Sequence, residues 1–205
     1  MATLVIDRDI EDEIRAKRAA WGADRYDEVW DSVYFVFPLP NLQHQDIVMR
    51  LSAALYELYG RTGAAIVLPG ANVSDRDVDW KQNYRCPDVV AAFPGGRARD
   101  CGAFWCGGPD FLVEIVSPDD KSRDKFDFYA QVGVRELLLI DRDPWALELY
   151  RLQENKLALV GTSTLDNSTP ISNRVLDGLS FRLVTGDVRP QIEMTHGPSN
   201  TSWVV

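Results

Sequence analysis

The sequence predicts an α/β fold: a mixed central β-sheet flanked by helices. Three observations carry this expectation. Two runs, FLVEIV at 111–116 and RELLLID at 135–141, are almost continuously apolar, as strands covered on both faces are. Residues 45–59 instead carry an apolar stripe at helical spacing: Ile47, Val48, Leu51, Leu55, Leu58 and Tyr59. Helix-like and strand-like segments then alternate along the chain, which favours strands and helices in layers. With 205 residues, 45% of them hydrophobic, the chain is large enough to bury a core of that kind.

Each element has its own local reason. Residues 7–21 are charged and helix-prone, with Ile10 and Ile14 four apart, and predict a peripheral helix. Residues 28–37 (EVWDSVYFVF) are aromatic and β-branched and predict one strand, ended by Pro38 and Pro40. The helix over 45–59 is stopped by Gly60 and Gly63. A short strand follows at 64–68, then a polar stretch, 71–85, that forms a loop or an edge hairpin. Residues 88–93 (DVVAAF) predict a strand between Pro87 and Pro94. After the 111–116 strand, Ser117 and Pro118 end the run, and 119–132 predicts a helix with acids in its first turn and Gly133 at its end. The 135–141 run is a second buried strand, and 146–152 (ALELYRL) alternates as a more exposed one. Residues 156–160 and 180–184 are expected as strands of a final sheet. The tail, 190–205, shows no period and is expected to be mobile or dimer-forming.

Composition excludes several classes of function. Lys and Arg number 22 against 31 Asp and Glu, a net charge of -9. A general polyanion-binding surface is disfavoured, though a local basic site is not. No apolar run approaches the ~18 residues of a membrane span. The polar first 18 residues do not make a signal peptide, so a cytoplasmic location is expected. Cys86, Cys101 and Cys106 lack CxxC spacing and are expected as free thiols.

Two carboxylates stand out. Asp88 follows Pro87 at the mouth of a strand, and Glu114 interrupts an apolar strand. A buried carboxylate is costly unless paired, protonated or bound to a cation. If their strands are antiparallel neighbours, ~4.8 Å apart, both side chains can share a hard cation. Mg²⁺ suits one or two carboxylates plus substrate oxygens and water. The bland alternatives stay open: Asp88 as a cap of backbone donors, and Glu114 as an acid paired with Arg135 or Lys125. Tyr129, Trp145 and Tyr150 are expected in the core or an interface. Arg97, Arg99, Lys121, Arg123 and Lys125 are either a phosphate-facing patch or scattered surface charge.

The run Tyr84-Arg85-Cys86-Pro87-Asp88-Val89-Val90, then Phe111 to Pro118, then Lys125 with Tyr129 and Gly133, then Val134 to Asp141, resembles the Uma-type putative restriction endonuclease family of the PD-(D/E)XK nuclease superfamily. Glu28-Val29-Trp30-Asp31 and His44-Gln45 resemble that family's N-terminal pattern. The resemblance implies a restriction-endonuclease-like core over residues 26–155, with an N-terminal helical extension over 1–25 and a C-terminal β extension and tail over 156–205. It implies a DNA endonuclease that hydrolyses phosphodiester bonds with Mg²⁺, Mn²⁺ substituting, and that works as a homodimer on DNA. Asp88, Glu114 and the backbone carbonyl of Ile115 would hold the metal. The superfamily lysine two residues after the acid is absent, since Val116 stands there. Lys125 on the following helix takes that role, with Lys121 as its rival, and Glu28 and His44 are further candidates. Two other readings compete: a non-catalytic binding or assembly module on the same fold, and a metal-dependent hydrolase of another phosphoester.

Overall fold

The computed structural model describes residues 3–5, 8–117 and 121–205. Its first half contains β1 (Thr3–Val5), α1 (Arg8–Ala20), β2 (Glu28–Trp30), β3 (Val33–Val36), α2 (Leu42–Leu55), β4 (Ile66–Leu68), β5 (Val73–Ser74), β6 (Tyr84–Arg85) and β7 (Val89–Ala92). There follow β8 (Arg99–Asp100), β9 (Trp105–Cys106), β10 (Phe111–Ile115), α3 (Phe126–Val132), β11 (Glu136–Arg142), β12 (Trp145–Gln153) and β13 (Lys156–Thr164). The last four strands are β14 (Ile171–Ser172), β15 (Leu179–Val184), β16 (Gln191–His196) and β17 (Thr201–Val204).

A six-stranded sheet in the order β13-β12-β11-β10-β7-β4 forms the centre. The two apolar runs, β10 and β11, lie side by side and parallel in its middle. A parallel pair needs a crossover, and α3 supplies it. The sheet is covered on both faces, which is why those strands tolerate so few polar residues. On one face α2 packs through Ile47, Leu51 and Leu55, beside Phe181, Leu183, Ile192 and Met194 from the four-stranded sheet β14-β15-β16-β17. On the other face lie Phe128, Tyr129 and Val132 of α3. A third sheet, β1-β3-β2-β6-β5-β9-β8, extends from the α3 side and contributes Val73 and Trp105 to that layer. Among the described residues, no helix is long and apolar enough to cross a membrane.

Several expectations are corrected. The aromatic run 28–37 is not one strand but a hairpin of β2 and β3. Asp31 and Ser32 turn it with φ of 48° and 68°, the backbone of a two-residue hairpin loop that matches strand twist. The polar stretch 71–85 does form the expected hairpin, β5 with β6, but inside its sheet and not at the edge. The strand begun at Lys156 runs to Thr164 and pairs with β12 in the central sheet, not in a final one. The tail is ordered as β16 and β17, anchored by Ile192 and Met194, both fully buried. Alternation in β16 is real (Ile192, Met194 in; Glu193 out), but one short strand among polar residues gives little signal. The helix expected over 119–132 is a 3₁₀ turn at Ser122–Lys125 that runs into α3, ended by Gly133 at φ 87°. Its acidic start, Asp119 and Asp120, lies outside the described residues.

Candidate active site

β7 and β10 are antiparallel neighbours, with Val89 opposite Val113. The pairing ends there: just before β7 the Asp88 amide donates to the Val113 carbonyl at 3.1 Å, which brings Asp88 beside Glu114. Val113 and Ile115 point to the α2 layer and Leu112 to the α3 layer, so alternation turns Glu114 towards α3.

There Glu114 is 3% exposed. Lys125, from the 3₁₀ turn before α3, donates to its two carboxylate oxygens at 3.1 and 3.3 Å. The Tyr129 hydroxyl donates to Glu114 Oε1 as well. Lys125 and Tyr129 are four apart, so one turn of helical backbone presents both to the same acid. Lys125 also donates to Glu28 Oε1 at 2.9 Å. Glu28 comes from β2, in the neighbouring sheet, and its other partners are the Cys86 amide at 2.8 Å and the Trp30 indole at 2.6 Å.

Asp88 is held from two sides. Its Oδ2 accepts from the Ile115 amide at 2.7 Å, and its Oδ1 meets His44 Nε2 at 2.7 Å. His44 lies in the first turn of α2, whose start is capped by the Asn41 side chain. Asp88 and His44 line a pocket of about 320 Å³ walled mainly by Pro40, Val48, Met49, Pro69 and Pro87.

Lys125 contacts two carboxylates, Glu28 and Glu114, and Asp88 lies close enough to act on the Glu114 carboxyl. Arg85 is nearby and buried but gives its bonds to neutral oxygens of Val29, Asn83 and Tyr84. Burial pushes the Glu114 carboxyl well above its usual range; Lys125 opposes this, and the charges of Asp88 and Glu28 add to it. The hydroxyl of Tyr129 is raised by burial and by Glu114.

These donors suit a hard divalent cation. Two carboxylates are the complement that Mg²⁺ takes when waters and substrate oxygens supply the rest. A cation would also favour the ionised form of Glu114, which burial disfavours. Among the described residues no group of three or more His, Cys, Asp or Glu side chains is arranged to hold a metal ion.

Residues 22–185 match the Uma2 family, described as "Putative restriction endonuclease". The chain belongs to the Uma2 family. Among solved structures, this Uma2 chain is similar to a crystal structure of a putative nuclease belonging to DUF820 from Anabaena variabilis. The two share 16% identity with a TM-score of 0.57, over 75% of this chain and 84% of that one. At that identity the likeness concerns the fold, and the fold is the expected restriction-endonuclease-like α/β core. No curated protein matches the chain.

Of the residues singled out from the sequence, Asp88, Glu114, Lys125, Glu28 and His44 come together, and Ile115 joins through its amide. Lys121 does not join them; it is exposed and lies 3.5 Å from Asp124. Of the two pairings considered for Glu114, Lys125 is present, whereas Arg135 pairs with Asp110. The suspected basic patch is dispersed: Arg99 pairs with Asp77 and Arg123 with Glu148. Tyr129 lies in the core, as expected, and its hydroxyl also donates to Glu114. Its four-residue spacing from Lys125 was the available signal.

Proposed function

We propose that this Uma2 chain is a metal-dependent DNA endonuclease that hydrolyses phosphodiester bonds, with Asp88 and Glu114 as the metal-holding carboxylates. The supporting observation is the convergence of Glu114 and Asp88 where β7 and β10 meet, with Lys125 bridging Glu114 to Glu28. The Ile115 carbonyl, next to Glu114, completes the oxygen set in this reading. Mg²⁺ bound there would lower the pKa of a water and neutralise charge on a phosphoryl oxygen.

The remaining residues position and support. The Ile115 amide and His44 fix both oxygens of Asp88, so the carboxylate enters the reaction in one orientation. Tyr129 does the same for Glu114. Lys125 bridges Glu28 and Glu114 and sets a positive charge beside the metal carboxylate. There it orients the attacking water and stabilises the charge that develops on phosphorus-bound oxygen. The lysine two positions after the acid in the wider superfamily is thus replaced by one from the next helical turn. The pocket at Asp88 opens one of the two carboxylates to substrate.

The test is cleavage of a panel of single-stranded, duplex and supercoiled DNA with Mg²⁺ or Mn²⁺. Wild type should cut in a metal-dependent way, and Asp88→Asn with Glu114→Gln should not. Equal cutting by the double variant would overturn the assignment.

A further inference from the structure

A second pocket, of about 420 Å³, lies away from the carboxylates, lined in part by Arg15, Arg25, Lys81, Trp80 and Tyr84. Its lining is rich in cations for so acidic a chain. The chain carries a net charge of -9, yet this pocket has three cationic side chains and a single acid, Asp24. The cations come from three separate parts of the chain: α1, the segment before β2, and the turn before β6.

The aromatic wall is also organised. The Trp80 indole stacks on Phe104 at 4.6 Å between centroids and meets Tyr84 edge-on at 5.2 Å. Lys81 Nζ sits 5.9 Å from the Trp80 ring centre. Trp80 is only half-buried, while Lys81 and Arg25 are exposed. Asp79, just before Trp80, adopts φ 54°, a backbone that a non-glycine residue rarely takes. Arg15 stacks its guanidinium over Tyr34 at 4.5 Å and pairs with Glu11 at 2.7 Å. Its Nε is buried with no hydrogen-bond partner among the described residues.

A fixed aromatic face beside several cations suits an unpaired base with its phosphate, since stacking accepts any base and the cations take the backbone. A paired base keeps its faces inside the duplex and cannot use the indole. The pocket is also tied to the candidate centre by the chain itself. Arg25 lies three residues before Glu28, and Tyr84 lies four residues before Asp88. Four extended residues span about 13 Å, so one strand of nucleic acid can reach both.

We propose that this pocket binds an unpaired nucleotide of single-stranded DNA, its base on Trp80 and its phosphates among Arg15, Arg25 and Lys81. The proposal rests on the nuclease reading for its choice of ligand, and it adds a preference for unpaired strand next to the cleavage centre. The test is fluorescence anisotropy of a labelled twelve-residue oligo-dT against a hairpin duplex of equal charge. It is run in EDTA, so that binding is read without cleavage. Wild type should bind oligo-dT more tightly than duplex. Trp80→Ala should weaken oligo-dT binding about tenfold, and Trp80→Phe should recover most of the loss. Arg25→Ala with Lys81→Ala alters two exposed side chains, so this variant reads the pocket even if Trp80→Ala fails to fold. Its slope of log affinity against log salt should be shallower by roughly 1 to 2. Equal affinity for duplex and oligo-dT, or a folded Arg25 and Lys81 double variant that binds like wild type, would overturn the proposal. Trp80-dependent binding without cleavage of any substrate would sink the nuclease reading and leave the pocket standing.

Discussion

Glu114 shows how a single residue decides what a strand is for. Replacing it with Val would make β10 a fully apolar central strand, so its carboxylate is held at a cost the fold does not require. The cost has a pH signature. Burial raises the folded carboxyl above its unfolded value, so the native state keeps a proton that the unfolded chain has already lost. Stability therefore falls as pH rises from the ordinary carboxylate range, about 4.3, up through the raised native value. In metal-free protein, urea unfolding should show a loss on the order of a few kcal/mol between pH 5 and pH 9. Glu114→Gln, which keeps an acceptor for Tyr129, should remove most of that slope. An unchanged slope in the variant would mean that some other group carries it.

At the scale of elements, what the sequence disclosed follows from how strong each period is. β10 and β11 were legible because both their faces are buried and almost nothing but apolar residues can stand there. α2 was legible because its stripe repeats over four turns. The division of 28–37 into β2 and β3 was not, because Asp31-Ser32 lacks the glycine that usually marks such a turn, and Trp30 and Val33 close the run on either side. The same logic predicts an effect: Ser32→Gly relieves a positive φ at an exposed side chain. Thermal unfolding should show a gain of about 0.5–1 kcal/mol. No gain would mean that the surrounding strands, not the turn residue, set this loop. The candidate site was legible in part for a related reason. Asp88 and Glu114 sit next to strong strand signals, whereas Glu28 reaches the site only through the hairpin and Tyr129 looks like any core aromatic. The cation-aromatic pocket was invisible, since α1, the segment before β2 and the turn before β6 meet only in three dimensions.

For the whole molecule, the question is what joins three sheets into one body. One tie is Glu136, buried at the start of β11. It accepts from Arg151 Nε at 2.6 Å and from the amides of Arg174 and Val175 at 2.9 and 3.1 Å. Those amides lie in the connection between β14 and β15, so one central-sheet carboxylate holds the four-stranded sheet, and Phe181 stacks on Phe111. Glu136→Ala leaves a half-buried arginine and two amides without this partner. It should cost about 3–5 kcal/mol in denaturant unfolding and make the segment 165–178 newly sensitive to protease. The second tie is the candidate site itself. Glu28 belongs to the sheet of β2, Asp88 and Glu114 to the central sheet, and Lys125 to the turn before α3. Like charges brought together from separate elements oppose folding, and a bound divalent cation reverses the sign of that contribution. A ligand that binds only the native state stabilises it by mass action, about 2.7 kcal/mol at a hundred times its Kd. For a chain of this size each kcal/mol moves Tm by about 2–4 °C. Mn²⁺ added to metal-free protein should therefore raise Tm by several degrees, in a concentration-dependent way. At a pH above the raised Glu114 value, where that carboxyl is ionised, Asp88→Asn with Glu114→Gln should start from a higher metal-free Tm, because the repulsion is gone, and should lose the response to Mn²⁺. A double variant that still responds would place the metal elsewhere, and one that starts lower would mean that these carboxylates hold the sheets together through hydrogen bonds more than their charges push them apart.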